Sequence, residues 1–361
     1  MATCTATPTL AAPSSILIQV VDTEGRIALL RTSGSRKTLK GVHRIKPCNN
    51  QADQDHRTCA KEPERKGILY HLHTLHLFTS SDYKVVLLPH TVFGVVSALS
   101  GSFIADTNAK LTAQDVASQL PLLLAWIYLN LLPFTLRNQS TPSAIAEDAL
   151  NKPHRPLPSG RLTRSTAHAL GIIFYALAIL MSIPLETSFS SITLLLLGSV
   201  YHDLRGGDSS PLSRNLINAL GHGCFSLGAT VIASGGKSIN TTALYQWLGI
   251  IMMIIVTTIQ LQDLPDQKGD ALRNRKTLPL TLGDVKTRWS VAVPVLIWSI
   301  VVLRFWESGI TSSIIVLAMG AGIAARVLLA RTVKADKTTW LLWTVWLTLL
   351  FFLPLARCYG V

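Results

Sequence analysis

The sequence predicts an all-α integral membrane protein with nine transmembrane helices, and three observations support this fold class. Apolar residues make up 48% of the 361 residues and charged residues only 15%, with a mean hydropathy of +0.37, whereas about a quarter of a soluble domain is charged. Nine segments are apolar over a length near the roughly 20 residues that span a bilayer. Loops rich in Lys and Arg alternate with loops that are poor in them, as expected when each apolar segment crosses the membrane.

Residues 1–66 precede the apolar segments and are polar and basic, with only short apolar runs such as SILIQVV. They lack the apolar core of a signal peptide, so we expect a mostly disordered cytosolic extension. A small folded element and a targeting segment are the alternatives. The remaining residues, 67–361, are expected to form one transmembrane domain.

The segment YHLHTLHLFTSSDYK (70–84) repeats leucine at roughly helical spacing and predicts an amphipathic helix at the membrane interface. A metal site formed by His71, His73 and His76 is the alternative. It is disfavoured because helical spacings of two and three residues do not bring three imidazoles onto one ion, and no cysteine supports them.

Nine apolar windows follow, and the fourth is short. The loops after the second, fourth, sixth and eighth windows hold sixteen Lys and Arg, whereas the opposite loops and the C-terminal tail hold only Lys110, Lys237 and Arg357. This asymmetry predicts a cytosolic N-terminus and assigns the net charge of +13 to membrane topology rather than to nucleic acid. Five scattered cysteines without a CxxC pair argue against disulfides and zinc. The windows lie near residues 86–104, 118–136, 166–184, 190–202, 215–234, 243–261, 289–305, 310–330 and 339–356.

Two long loops on the predicted cytosolic side, 137–165 and 261–288, each carry an acidic cluster. In DLPDQKGD (263–270) the residues Asp263, Asp266 and Asp270 are spaced i, i+3 and i+7, which places them on one face of a helix if the helical turn begins at Pro265. The first loop holds Asn138, Glu147, Asp148 and Asn151. Clustered carboxylates without His or Cys favour a hard cation such as Mg²⁺.

A basic cluster follows each acidic one. Acidic ligands for Mg²⁺ beside several cations suit a diphosphate, because the metal and the basic side chains together neutralise its oxygens. A phosphate loop of the form GxxxxGK[ST] is absent from the sequence, so a nucleotide-hydrolysing transporter is disfavoured. One such loop alone would be explained by the positive-inside rule, but two loops of the same pattern favour a binding site. The clusters are Lys152, Arg155, Arg161 and Arg164, then Lys268, Arg273, Arg275 and Lys276.

The fifth and fourth windows add polar residues near the same membrane face. Asn215, Asn218 and His222 recur at i, i+3 and i+7 on an otherwise apolar helix, and polar groups within a bundle face its interior. They either reach the diphosphate or a metal-bound water, or bond neighbouring helices together. Tyr201 and Asp203 either contact the diphosphate and metal shell or order their loop.

The two loops resemble those of the UbiA-type intramembrane prenyltransferase superfamily, whose members carry two aspartate-rich motifs. Asp263, Asp266 and Asp270 match its DxxDxxxD motif, RKTLPL (275–280) is similar to its basic tail, and LNKPHRPLPSGR (150–161) is similar to the segment after its first motif. This sequence differs from the first motif of the superfamily, NDxxDxxxD. Gln139 stands in place of the first Asp of the motif, and two extra residues precede Asp148. This departure, with YHLHTLHLF and VYHDLRGG (200–207), resembles the fungal branch that contains membrane-bound class I terpene cyclases.

The resemblance implies nine helices bundled around a central cavity, with cytosolic loops or helices capping it. It also implies a terpene cyclase that uses Mg²⁺ to ionise farnesyl diphosphate, the favoured substrate, or geranylgeranyl diphosphate. A prenyltransferase with an aromatic or polyketide acceptor is the alternative, and a transporter or lipid-binding scaffold is disfavoured by the two acid-base loops. We expect a multi-pass protein of the endoplasmic reticulum of a fungus, with its active-site loops in the cytosol and a role in secondary metabolism. No nucleic acid or protein partner is expected.

The acidic and basic clusters of the two loops and the polar residues of the fourth and fifth windows predict the roles of individual residues. Catalytic function is expected of Asp148, Asp263 and Asp266. The predicted metal ligands are Asn138, Glu147, Asp148, Asp263, Asp266 and Asp270. The predicted diphosphate ligands are Arg155, Lys268, Arg273, Lys276, Tyr201, Asn215 and Asn218.

Overall fold

The computed structural model of the chain describes residues 16–21, 27–32, 67–103, 111–237, 239 and 241–360. Within residues 1–66, for which disorder or a small folded element was expected, it describes two strands. β1 (Ile16–Val21) pairs antiparallel with β2 (Ile27–Thr32), with Ile16 opposite Thr32 and Val21 opposite Ile27. The chain divides after Arg65 into two compact units, and the elements described in the second unit are all helices.

The helical unit begins with α1, which covers most of the segment 70–84 for which a helix was predicted, and continues through fourteen further α-helices. Ser or Thr caps several long helices: Thr112, Thr163 and Thr332 each accept a hydrogen bond from the backbone N–H three residues on. The helices are α1 (Ile68–Thr79), α2 (Leu88–Ser100), α3 (Ala113–Gln139), α4 (Pro142–Asn151), α5 (Arg164–Ser182), α6 (Ser188–His202), α7 (Gly206–Ser209), α8 (Pro211–Ala233), α9 (Thr241–Thr258), α10 (Gln267–Leu272), α11 (Leu278–Leu282), α12 (Asp284–Phe305), α13 (Ile310–Leu329), α14 (Val333–Leu350) and α15 (Leu353–Tyr359). A π-helical turn, Tyr83–Leu87, leads into α2, and a 3₁₀ turn, Ile259–Asp263, follows α9.

Seven helices in the described part of the chain are long and apolar enough to cross a membrane. An eighth span results if α14 and α15, which meet at a bend of 42°, are taken together. The predicted count of nine is not confirmed, because the fourth window corresponds to α6, whose 15 residues extend only about 22 Å. The last predicted window divides into α14 and α15 where Phe351 and Phe352 interrupt the helix.

Helix α8 is the most buried of the spans, with 67% of its apolar window inside the protein. It packs against α2, α3, α6 and α9, and small residues allow these close contacts. A Cβ atom on Gly94 of α2 would lie 2.6 Å from the Ala229 carbonyl oxygen of α8, and one on Gly228 would lie 2.2 Å from the Trp126 ring of α3. Helix α8 is therefore the element against which α2, α3, α6 and α9 all pack.

Candidate active site

One cavity of about 510 Å³ lies among these helices and receives residues from both charged loops. Its lining has a charged part, formed by the loops and the adjacent helix ends, and an apolar part within the spans. The charged and polar lining includes Asp82, Lys84, Asn138, Glu147, Asp148, Asn151, Lys152, Arg155, Tyr201, Arg214, Asn218, Asp266, Arg273, Arg275 and Lys337. The apolar and aromatic lining includes Val85, Leu131, Phe134, Leu194, Leu197, Ile217, Phe225, Ile259, Trp340 and Leu341.

The first acidic cluster lies on α4, which starts where Thr141 caps the helix and Pro142 occupies its first turn. Glu147 and Asp148 are both buried on this helix and both line the cavity. Asp148 accepts hydrogen bonds from Nη1 of Arg155 at 2.8 and 3.0 Å. The first loop thus presents a carboxylate that its own arginine holds at the cavity wall.

The two loops also pair directly with each other beside the cavity. Glu147 of the first loop accepts hydrogen bonds from Arg273 at 3.3 Å and from Arg275 at 3.1 Å, both of the second loop. In return, Asp266 of the second loop lies 3.7 Å from the ammonium group of Lys152. Together with the Asp148–Arg155 pair within the first loop, these contacts join the two loops into one ionic site.

The second acidic cluster does not form the single helical face that its spacing predicted. Asp263 ends the 3₁₀ turn, Asp266 precedes α10 and Asp270 lies within α10, because the chain turns at Leu264 and Pro265. Of the three aspartates, only Asp266 lines the cavity.

Asp263 and Asp270 instead hold arginines. Asp263 is 1% exposed and accepts hydrogen bonds from Nη2 and Nε of Arg214 at 2.9 and 3.2 Å. Asp270 accepts one from Arg275 at 3.1 Å, while its second oxygen, Oδ2, is buried and has no hydrogen-bond partner among the described residues. Both arginines line the cavity, so these two aspartates act on the site through the guanidinium groups.

Similarity to known proteins identifies the family of this chain. The model of the UbiA prenyltransferase family matches residues 138–353, more than half of the chain. The chain belongs to this family. Fumagillin beta-trans-bergamotene synthase of Aspergillus fumigatus is 34% identical over 237 residues, covering 65% of this chain and 75% of the relative. Polyprenyl transferase eriF of Hericium erinaceus is 28% identical over 218 residues, covering 59% of this chain and 70% of the relative.

A solved UbiA homolog from Archaeoglobus fulgidus, bound to DMAPP and Mg²⁺, has the same fold. Its TM-score is 0.56 at 14% identity, and the match covers 80% of this chain and 99% of that one. At this identity the likeness shows the fold alone. The multi-pass helical membrane fold is thus supported by composition, by the apolar helices and by a solved relative.

Several predicted ligands of this UbiA-family protein lie away from the cavity lining. Lys268 and Lys276 are exposed and do not line it, and the backbone N–H of Lys276 donates to the Asp208 carbonyl at 3.0 Å. Asn215 donates to the carbonyl of Val256 and to the side chain of Gln260, each at 3.0 Å, which corresponds to the helix-packing alternative. Asn138, Tyr201 and Asn218 line the cavity as the sequence suggested.

Arg214 and Asp208 are site residues that sequence reasoning missed. Arg214 hydrogen-bonds both Asp263 and the Tyr201 hydroxyl. Asp208 lies 3.3 Å from Arg273 and 3.0 Å from Arg275 and so holds both guanidinium groups. The sequence did contain a signal for Arg214. It is a charged residue at the edge of the fifth apolar window, directly before Asn215, and charged residues at such positions often belong to functional sites.

Burial alters the acid strength of two carboxyl groups in these loops. Burial raises the pKa of Asp148 above its usual value, and the opposing charge of Arg155 reduces but does not cancel this effect. Burial likewise raises the pKa of Asp270 to about 6. The ionised forms of both groups therefore depend on the neighbouring guanidinium groups.

The side chains of the site include the oxygen ligands that Mg²⁺ prefers. Among the residues that the structure describes, no three His, Cys, Asp or Glu side chains come close enough to hold a metal ion together. The lining nevertheless offers carboxylate and amide oxygens, and Oδ1 of Asn138 is buried with no hydrogen-bond partner among the described residues. An unpaired amide oxygen beside carboxylates fits a hard cation in chemistry, although the carboxylates are now paired with basic side chains.

Proposed function

We propose that this protein is a membrane-bound class I terpene cyclase, which ionises and cyclises a prenyl diphosphate in the presence of Mg²⁺. Farnesyl diphosphate is the favoured substrate and geranylgeranyl diphosphate the alternative. The observation that carries the proposal is a single cavity that combines basic side chains with an apolar, aromatic wall. A prenyl diphosphate has this same division between a charged group and a hydrocarbon chain.

The basic side chains are the part that would bind the diphosphate. Arg155, Arg214, Arg273 and Arg275 line the cavity and are buried, so their charges are poorly screened by water. Guanidinium groups held in place by carboxylates need little reorganisation as charge builds on the leaving diphosphate, and this preorganisation accelerates ionisation. Lys152 adds a fifth cation at the junction of the two loops.

Asn138, Glu147, Asp148 and Asp266 would hold Mg²⁺, because they are the predicted ligands that line the cavity. The ion would supply positive charge to the diphosphate oxygens. Asp263 and Asp270, also predicted as ligands, are proposed to position Arg214 and Arg275. The bergamotene synthase relative supports a cyclase, and the solved homolog bound to DMAPP and Mg²⁺ supports the ligand class.

The apolar wall is suited to a carbocation. Phe134, Phe225 and Trp340 line the cavity, and aromatic faces stabilise a cation without attacking it.

We place the charged loops on the cytosolic face of the endoplasmic reticulum membrane, because the Lys and Arg asymmetry favours a cytosolic side for these loops.

A prenyltransferase is the second candidate, because the polyprenyl transferase eriF aligns with 59% of this chain.

Membranes that contain the protein should be incubated with Mg²⁺ and either farnesyl or geranylgeranyl diphosphate, without acceptor, and the organic extract analysed by mass spectrometry. A cyclic hydrocarbon is expected. Product that forms only after an aromatic acceptor is added would reject the cyclase in favour of the transferase.

A further inference from the structure

Two histidines meet inside the membrane part of the protein, away from the charged loops. His90 of α2 and His222 of α8 lie 2.8 Å apart, from Nε2 of His90 to Nδ1 of His222. Nδ1 of His90 is 3.0 Å from the Ser226 hydroxyl. His222 lines the cavity, whereas His90 is 1% exposed. The three side chains form a hydrogen-bonded chain that runs from the cavity wall into the contact between two helices.

The position of the pair separates it from the ionic site. On α8, His222 follows Arg214 by eight residues, so its Cα lies about 12 Å further along the helix. Its surroundings are aromatic: Phe225 stacks on His90 with ring centroids 5.5 Å apart, and Trp126 meets Phe225 edge-on at 6.1 Å. No hydrogen bond or ion pair joins either histidine to a charged residue in the described part of the chain. The pair is therefore placed near the hydrocarbon part of a bound substrate.

The hydrogen bonds allow a proton arrangement with a free base at the cavity. Each hydrogen bond between these side chains contains one hydrogen. If Nδ1–H of His222 donates to Nε2 of His90, then the neutral His90 ring carries its hydrogen on Nδ1 and donates it to the Ser226 oxygen. This arrangement leaves a lone pair on Nε2 of His222, to which no described residue donates a hydrogen bond. Protonation of Nε2 would give an imidazolium whose Nδ1–H still has His90 as acceptor, and that contact stabilises the charge.

We infer that His222 accepts the proton that ends the carbocation reaction, with His90 as its positioning residue. The inference rests on the proposed cyclase function. A C–H bond beside the cationic carbon breaks, its electron pair forms a C=C bond, and the proton moves to Nε2 of His222. The product is a neutral alkene, so no oxidant or reductant is required. Only 8% of the surface of His222 is exposed, which favours contact with the protruding hydrogens of the substrate over attack on its carbons.

The test separates ionisation from proton loss. Purified protein with Mg²⁺ and farnesyl diphosphate is assayed for diphosphate release and for the distribution of hydrocarbon products. In His222→Phe, which keeps an aromatic ring without a base, diphosphate release should stay within about threefold of wild type. The share of the main wild-type alkene should fall at least about tenfold, replaced by isomers or alcohols. His90→Phe should shift the products in the same direction by a smaller factor.

Thr230→Val provides a matched control, because Thr230 is a buried residue of the same helix α8 that does not line the cavity, and its hydroxyl donates to the Ser226 carbonyl at 2.9 Å. Its product distribution should equal that of wild type. If His222→Phe is not monodisperse in detergent, His222→Gln, which keeps a hydrogen-bonding group toward His90, carries the same comparison.

An unchanged product distribution in the His222 variant would overturn the inference while leaving the cyclase proposal intact. Equal losses of diphosphate release and product in a folded variant would also overturn it, since His222 would then act in ionisation. Wild-type protein that needs an aromatic acceptor would reject the proposed function itself, and the inference with it.

Discussion

The two charged loops have the same order of acidic and basic residues in the sequence, yet they contribute differently to the site. In the first loop, the acidic residues Glu147 and Asp148 share one helix and both line the cavity. In the second loop, only Asp266 does so, while Asp263 and Asp270 are buried against arginines. A loop of this pattern can therefore present carboxylates directly or use them to hold guanidinium groups.

The largest expected effect tests the loop that presents carboxylates. Asp148→Asn keeps the shape of the side chain but removes the charge that faces the cavity and pairs with Arg155. We expect turnover of farnesyl diphosphate to fall by about 10² to 10³ or more, while the protein stays in the membrane. Asp203→Asn is the control, because Asp203 is half exposed, does not line the cavity and pairs with Arg137. Near wild-type activity in Asp148→Asn would disprove the direct role.

The next effect compares adjacent basic residues within the second loop. Arg275 lines the cavity and contacts Glu147, Asp208 and Asp270, whereas Lys276 is exposed and does not line it. Arg275→Gln should lower kcat by about 100-fold, since a fixed charge at the leaving group is lost. Lys276→Gln should change kcat by less than about twofold, as expected for a solvated charge. Comparable losses in steady-state assays of the two variants would restore Lys276 as a diphosphate ligand.

A third prediction concerns the aspartate that holds Arg214. Asp263→Ala leaves a buried guanidinium without its carboxylate partner, so we expect a loss of about 3 to 5 kcal/mol in the free energy of unfolding, together with loss of turnover. The double variant Asp263→Leu with Arg214→Met removes both charges. It should regain most of the thermal stability measured in detergent but none of the activity. Recovered activity in the double variant would show that this ion pair is only structural.

The smallest effect tests the contact between the loops. A Cβ atom on Gly269 of α10 would lie 2.1 Å from the Asn151 amide of α4, so Gly269→Ala should push the two acidic segments apart. We expect about a tenfold loss of activity with a change in stability near 1 kcal/mol, because the helix gains propensity while the contact is strained. Adding Asn151→Ala should relieve the strain and restore part of the kcat. Gly322→Ala in α13, where a Cβ meets open space and which does not line the cavity, is the control for substitution alone. Additive effects of the two loop changes would argue against this contact.

Much of the fold and part of the site were predictable from local patterns. The apolar windows correspond to helices because each must satisfy its own backbone hydrogen bonds in lipid. The count of nine is not confirmed because α6 is short and the last window bends between α14 and α15. Within the site, Asn138, Asp148, Arg155 and Arg273 line the cavity, whereas Lys268 is exposed on the outer side of a short helix. Spacing alone could not distinguish the residues that line the cavity from the exposed Lys268, since the order of charges does not show which face of a six-residue helix is buried.

By itself, the sequence determined that this chain is a multi-pass helical membrane protein of the UbiA family with two acid-base loops. Composition, hydropathy and motif order suffice for this because they act through local backbone and solvation preferences. Only the tertiary structure decided that Glu147 binds Arg273 and Arg275, that Asp263 binds Arg214, and that His90 meets His222. These partners are 49 to 132 residues apart in the chain, and only helix packing brings them within hydrogen-bond distance.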